Sequence, residues 1–227
     1  MLMTVTEAHI EASAAVNASA HGNKYDVYNG RFYLFMKRAF DIVSSACALI
    51  VCAIPMLVLG IAIRLESPGP AIYKQERLGK DRKPYIMYKF RSMYQDAEKD
   101  GPKWAERDDD RCTHIGKWIR GNHLDELPQL INVLSGEMSL VGPRPERDYF
   151  YRKFETDIPD FWERLRVKPG LTGLAQIKGD YNMPPTEKLA FDAIYMKNRS
   201  LAMDISLILK TFLMIIGYKG AQKNIEK

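Results

Sequence analysis

Between Asp41 and Arg64 the chain carries no charged side chain, leaving 22 uncharged positions, 42–63. As an α-helix rising about 1.5 Å per residue, this block reaches roughly 33 Å, enough to cross the hydrocarbon core of a bilayer. Pro55 sits well inside it, where proline removes a backbone hydrogen bond and kinks a helix. Cations flank both ends, Lys37 and Arg38 before and Arg64 and Lys74 after. The positive-inside rule then favours the cytoplasmic face for both. A straight span and a helix-break-helix that enters and leaves one leaflet are the two readings; the proline and the two-ended charge fit the second.

The remainder is polar enough for a water-facing domain. A chain of 227 residues suits one domain with a real core, and 46% hydrophobic against 27% charged residues excludes disorder as the main state. A formal charge of +5 fits work beside anions such as lipid head-groups or phosphorylated substrates. No zinc-finger or RNA-recognition pattern occurs and aromatics are not interleaved with Lys and Arg, so no nucleic-acid partner is expected. Cys47, Cys52 and Cys112 form no CxxC pair, and the four histidines lack ligand spacing. That argues against a disulfide framework or structural zinc and suits a reducing cytoplasm.

The expected organisation is a flexible tail over 1–30, a re-entrant membrane region over 31–66, a cytoplasmic domain over 67–217 and a short tail over 218–227. The fold class is α+β, mostly helical with a small β element. Ser67-Pro68-Gly69-Pro70 ends the membrane helix. Residues 71–73 and 85–88 read as strands around a turn at 79–83, and 95–110 as polar loop. Helical periods cover 113–120, 124–134, 147–166, 185–199 and 201–217. The last is apolar but interrupted by Asp204 and Lys210; it reads as an interfacial helix or as a core helix.

The chemistry centres on His123-Leu124-Asp125-Glu126-Leu127-Pro128-Gln129-Leu130. Leu124, Leu127, Leu130, Ile131 and Leu134 share one helical face. Proline is tolerated only in a helix's first turn, so Pro128 predicts a helix starting near Asp125, with both carboxylates at its positive end. Taken alone, the pair reads as a helix cap worth about 1 kcal/mol. The sharper reading is an Asp nucleophile or Mg²⁺ ligand beside a Glu proton carrier, which needs cations to offset repulsion from a phosphate. Arg144, held between two prolines in Val141-Gly142-Pro143-Arg144-Pro145, is one candidate. Arg77, Lys89 and Arg91 are others, each also readable as a solvated strand residue. Lys168-Pro169-Gly170-Leu171-Thr172-Gly173 reads as an anion-binding loop or as a turn into a strand. Asp108-Asp109-Asp110 reads as a cation site or a solvated acidic loop. No Walker A, GxGxxG, GxSxG or HExxH pattern is present.

In combination these segments resemble the monotopic phosphoglycosyl transferases, the bacterial sugar transferase family, from about Phe35 to Thr211. The resemblance rests on Lys37-Arg38-Ala39-Phe40-Asp41, Ser67-Pro68-Gly69-Pro70, Tyr88-Lys89-Phe90-Arg91-Ser92-Met93 and Leu124-Asp125-Glu126-Leu127-Pro128-Gln129. It extends through Asn132-Val133-Leu134, Gly136-Glu137-Met138-Ser139 and the Arg144 and Lys168 segments. It implies transfer of a sugar phosphate from a UDP-sugar to polyprenyl (undecaprenyl) phosphate at the cytoplasmic face of the bacterial inner membrane. Asp125 would be the nucleophile, with Mg²⁺ close by, and Glu126 the proton acceptor. Arg144 and Arg120 would hold phosphates, with Lys89 and Arg91 as further candidates. Membrane lipids are implied partners; a homodimer and contacts with downstream glycosyltransferases are left open. A membrane-tethered assembly module with Asp125-Glu126 as a mere cap is the alternative. The chain departs from the family in Asn122-His123, where Ser or Thr is frequent, and in Ile54-Pro55, where some members have Ser-Pro.

Overall fold

A computed structural model describes residues 25–99, 101, 109–179 and 183–217. Its longest element is helix α1, Arg31–Glu66, which runs on through Pro55. Proline forfeits one backbone bond there, yet the expected interruption of the helix is not seen. One side of α1 is buried at Tyr33, Lys37, Asp41, Ser45 and Ile63. The outer side is apolar and bare, with Ile50, Val51 and Ile54 each at least 76% exposed.

Both ends of α1 are fastened to the same domain. Near its start, Lys37 Nζ donates to Asp204 Oδ2 at 2.9 Å. Arg38 donates to the carbonyls of Val133 and Leu134 at 2.7 and 2.8 Å. Asp41 Oδ1 accepts from the Leu140 N–H at 3.0 Å. Lys37, counted above as a free flanking cation, therefore spends its charge inside the fold. Toward the other end, Met56, Leu59 and Ile63 pack with Phe90 and Ile119, and the Glu66 carboxylate accepts from the Ile115 N–H.

Strands β1 (Ile72–Leu78) and β2 (Pro84–Phe90) form an antiparallel hairpin, longer than the two short runs expected, because the pairing continues to Leu78↔Pro84. Next come helix α2 (His114–Gly121), a 3₁₀ turn over Leu124–Glu126 and helix α3 (Gln129–Ser135). Strand β3 (Ser139–Val141) leads to helix α4 (Asp148–Glu155), a 3₁₀ stretch over Pro159–Arg166 and strand β4 (Gly170–Thr172). Helices α5 (Leu174–Lys178), α6 (Pro185–Asn198) and α7 (Leu201–Ile215) follow. The single helix expected over 147–166 is split because Pro159 pushes Ile158 out of the helical region.

β3 and β4 pair in parallel, which decides the nature of the Lys168-Pro169-Gly170 segment. Its Gly170 N–H is spent on the Pro143 carbonyl at 2.9 Å, and the Pro169 carbonyl accepts from the Ser139 N–H. It is a turn into a strand, not an anion loop. A side chain at Gly170 would collide with the Gly142 backbone. Within the tail expected over 1–30, residues from 25 on are packed against the domain. Tyr25 is buried among Leu78, Tyr151, Phe161, Leu165 and Leu189, and the Tyr28 N–H donates to the Met196 carbonyl. The tails expected over 1–24 and 218–227 lie outside the described residues.

Helix α7 is packed along one side and apolar and exposed along the other. Leu207 and Asp204 are buried, whereas Ile205, Leu209 and Phe212 are exposed on the other side. Asp204, whose charge seemed to spoil the helix's apolar run, accepts bonds from Tyr33 and Tyr195 as well as Lys37. A buried carboxylate stripped of its cation is strongly destabilising. Lys37→Met is therefore expected to cost about 3 kcal/mol, read as a lower melting midpoint of the purified protein, with Lys37→Met/Asp204→Asn recovering part of the loss.

Candidate active site

The acid pair sits where the chain reverses between α2 and α3. Asn122 caps the end of α2 through the Trp118 carbonyl at 2.8 Å, and His123 adopts a left-handed conformation (φ 57°). Few non-glycine residues do so, and the reversal turns Asp125 into the domain, where it is 8% exposed. Asp125 and Glu126 belong to the 3₁₀ turn; the α-helix proper starts at Gln129, with Pro128 as its cap. The helix expected to begin near Asp125 thus begins one turn later. That shift also breaks up the predicted leucine face. Leu130 and Val133 are buried, while Ile131 and Leu134 are 45% and 38% exposed.

The register of the turn is fixed by Asn132, fully buried on α3. Its side-chain amide accepts from the Tyr88 N–H at 3.1 Å and donates to the Ile86 carbonyl at 2.7 Å, imitating a strand partner for β2. Lys89, next along β2, is thereby delivered to the acid pair. Its Nζ lies 3.3 Å from Glu126 Oε1. Arg144 approaches from the Pro-Arg-Pro loop, with Nη2 2.5 Å from Oε1 and Nη1 3.3 Å from Oε2 of Glu126. Arg164, fully buried, steadies that loop by donating to the Arg144 carbonyl at 3.0 Å while its Nε pairs with Asp192 at 2.6 Å. Arg77 of β1 reaches the neighbouring Pro145 carbonyl and Glu146.

The two acids consequently differ in character. Burial by itself would lift the Glu126 carboxyl, but the Arg144 and Lys89 charges outweigh it and hold Glu126 well below the usual carboxylate range. Asp125 makes no hydrogen bond through its carboxylate to the described residues, and burial together with the adjacent Glu126 charge pushes its carboxyl upward. Burial also lowers the Lys89 ammonium, against the pull of Glu126. One acid is here the counter-ion of Arg144 and Lys89. The other is a buried, unbonded carboxylate beside cations, the arrangement a carboxylate nucleophile requires.

Of the cations expected here, Arg144 and Lys89 are at the pair. Arg120 is near enough to Asp125 to lower its carboxyl and also donates to Cys112 Sγ at 3.3 Å. Arg91 is elsewhere. Its guanidinium donates to the carbonyls of Ile63, Ser67 and Pro68 and to Ser67 Oγ, closing the C-terminal end of α1. Strand alternation alone would set Lys89 and Arg91, two apart, on one face, but Arg91 lies just past the end of β2 and its side chain is taken up by the carbonyls at the end of α1. In the acidic run, Asp108 lies outside the described residues and Asp109 is engaged by Arg111 at 2.6 and 2.8 Å, so Asp109 is neither solvated nor a vacant ligand. Arg77, Gln129, Asn132, Glu146 and Arg164 were not among the expected site residues except for Arg77. Their roles come from partners far away in sequence.

The sequence profile of the bacterial sugar transferases matches residues 32–218, a stretch containing α1, the acid pair and the Arg144 loop. The chain belongs to the bacterial sugar transferase family. An Aeromonas hydrophila relative, a UDP-N-acetylgalactosamine-undecaprenyl-phosphate N-acetylgalactosaminephosphotransferase, is 41% identical over 84% of this chain and 46% of its own length. A Caulobacter vibrioides UDP-glucose:undecaprenyl-phosphate glucose-1-phosphate transferase is 40% identical over 77% and 67%. An exopolysaccharide production protein of Rhizobium leguminosarum is 41% identical over 78% and 94%. The chain thus spans about half the length of the Aeromonas relative and nearly all of the Rhizobium one.

For a bacterial sugar transferase the fit to Mg²⁺ can be tested on the donors. Among the described residues no group of three or more His, Cys, Asp or Glu is gathered as a metal cage. Mg²⁺ does not need one, since it binds through one or two carboxylates plus substrate phosphates and water. The Asp125 carboxylate suits that role, while the Glu126 oxygens are already taken up by Arg144 and Lys89. The Arg91 assignment is checkable by stability. Arg91→Ala removes donors from buried carbonyls of Ser67 and Ile63 and is expected to cost about 2 kcal/mol in a melting experiment.

Proposed function

We propose that this chain transfers a sugar-1-phosphate from a UDP-sugar to polyprenyl (undecaprenyl) phosphate, giving polyprenyl-diphospho-sugar and UMP, through Asp125. The observation that carries the reading is the inequality of the two acids: a buried, unbonded Asp125 beside a Glu126 clamped by Arg144 and Lys89. The relatives' names supply the reaction class.

In the first step an Asp125 carboxylate oxygen attacks the β-phosphorus. The bond from that phosphorus to the bridging oxygen breaks, UMP leaves with the electron pair, and a phosphosugar-aspartyl intermediate remains. Arg144 and Lys89 offset the repulsion between carboxylate and phosphate. In the second step an oxygen of polyprenyl phosphate attacks the same phosphorus, and Asp125 departs as carboxylate. Any proton on the incoming phosphate passes to Glu126, which becomes basic enough once the phosphates draw Arg144 and Lys89 away from it. Mg²⁺ held by Asp125 and substrate oxygens would neutralise charge on the diphosphate.

The membrane reading follows from the attachment of α1. Tyr33 to Ser45 and Met56 to Glu66 dock on one domain, which favours both ends of the apolar block on one side of the bilayer. Together with the bare faces of α1 and α7, this supports a monotopic seat in the cytoplasmic leaflet. Single cysteines introduced at Gly30 and Lys80 are expected to label from the cytoplasmic side alike; labelling from opposite sides would make α1 a span.

Asp125→Asn is expected to keep the fold and lose roughly a thousandfold or more of its activity, scored as UMP release over a panel of UDP-sugars. Wild-type protein incubated with UDP-sugar alone should gain a phosphosugar mass on Asp125. Because the Asp125 carboxyl is raised in the folded protein, the ionised nucleophile disappears as pH falls through that raised value. The acid limb of kcat/KM should therefore lie above the ordinary carboxylate range. Full UMP release by Asp125→Asn would overturn Asp125 as the nucleophile.

A further inference from the structure

Behind the Glu126 clamp lies a small cavity of about 40 Å³, lined by Arg77, Lys89, Gln129, Arg144 and Glu146 among others. A water needs at least about 10–15 Å³ of such space, so the cavity has room for a water or a phosphoryl oxygen. Its walls are rich in donors with nothing to bond. Gln129 is 2% exposed and its Nε2 has no partner among the described residues. Arg77 Nε is buried and unpartnered as well. The one carboxylate in the lining, Glu146, is already paired with Arg77 at 3.4 Å.

A buried N–H with no acceptor is costly, about 1–3 kcal/mol each, and two beside one polar cavity call for an acceptor there. The three cations favour an anionic acceptor over a neutral one. Glu146, the carboxylate in the lining, and Glu126 beside it do not supply it, since both are engaged. We infer that this cavity is an oxygen seat for a phosphate group, in which Gln129 Nε2 and Arg77 Nε donate to a single non-bridging phosphoryl oxygen. Resting on the phosphosugar-transfer reading, the inference adds Gln129, a neutral donor, as a substrate-binding residue. Arginine and lysine attract any anion; a fixed amide N–H fixes where one oxygen of it lies.

Gln129→Glu keeps the shape and exchanges the N–H donor for an acceptor, and Gln129→Met keeps the length without a donor. With the full chain in detergent, binding of inorganic phosphate and of UMP would be measured by titration calorimetry, independently of turnover. Both variants are expected to weaken phosphate and UMP binding at least about tenfold, Glu more than Met, with melting midpoints near the wild-type value. Comparing the two probes distinguishes a seat for a free phosphate group from one that also needs the nucleoside. Unchanged binding of both probes by a folded Gln129→Met would overturn the inference and leave a water-filled cavity. Absence of binding by wild-type protein would overturn it too. Retained activity of Asp125→Asn, by contrast, would sink the nucleophile and leave the oxygen seat standing.

Discussion

Glu126 sits at the junction of three separately delivered parts of the chain. Lys89 arrives on a strand of the hairpin, Arg144 on the Pro-Arg-Pro loop, and Glu126 itself on the 3₁₀ turn. A carboxylate this buried costs several kcal/mol unless it is paired, and each cation carries a similar cost. The cluster is therefore stable only when all three parts are in place. Removing either cation would free the acid and loosen a loop. Asp125, adjacent in sequence but turned to another side, gets neither cation directly, and this geometry separates the roles of two neighbouring carboxylates.

The supports of that junction lie well outside it. Asn132 registers α3 against β2 by taking the place of a strand neighbour. Arg164 and Asp192, both buried, hold the carbonyl of Arg144. Arg38 caps α3 from the apolar helix, and Asp41 and Lys37 dock that helix on β3 and α7. The apolar helix and the acid turn are thus one mechanical unit.

The hairpin, the helices over 185–198 and 201–215, and the acid pair were legible because their signals are local: alternation, helical period and a proline that limits where a helix can start. Arg91 was misread because its neighbour Lys89 is a site residue and sequence spacing says little about direction beyond a strand's end. Lys37 was misread as a topological cation because its partner, Asp204, is 167 residues away. The same Asp204, read locally, looked like a flaw in an apolar helix. Arg164 gave no local sign at all, and Gln129 none as a donor, since each matters only through a cavity or a partner on another element.

By itself the sequence determined the parts: an apolar block too long and too bare to stand in water, an acid pair followed by proline, and an arginine stiffened between prolines. Those follow from hydrophobicity and backbone stereochemistry, which act over a few residues. Tertiary structure decided the use of the charges. Which cation neutralises Glu126, which closes the end of α1, and which acid stays unbonded depend on burial and on distances between elements remote in sequence. Electrostatic energy in a low-dielectric interior is set by those distances, and no local pattern encodes them.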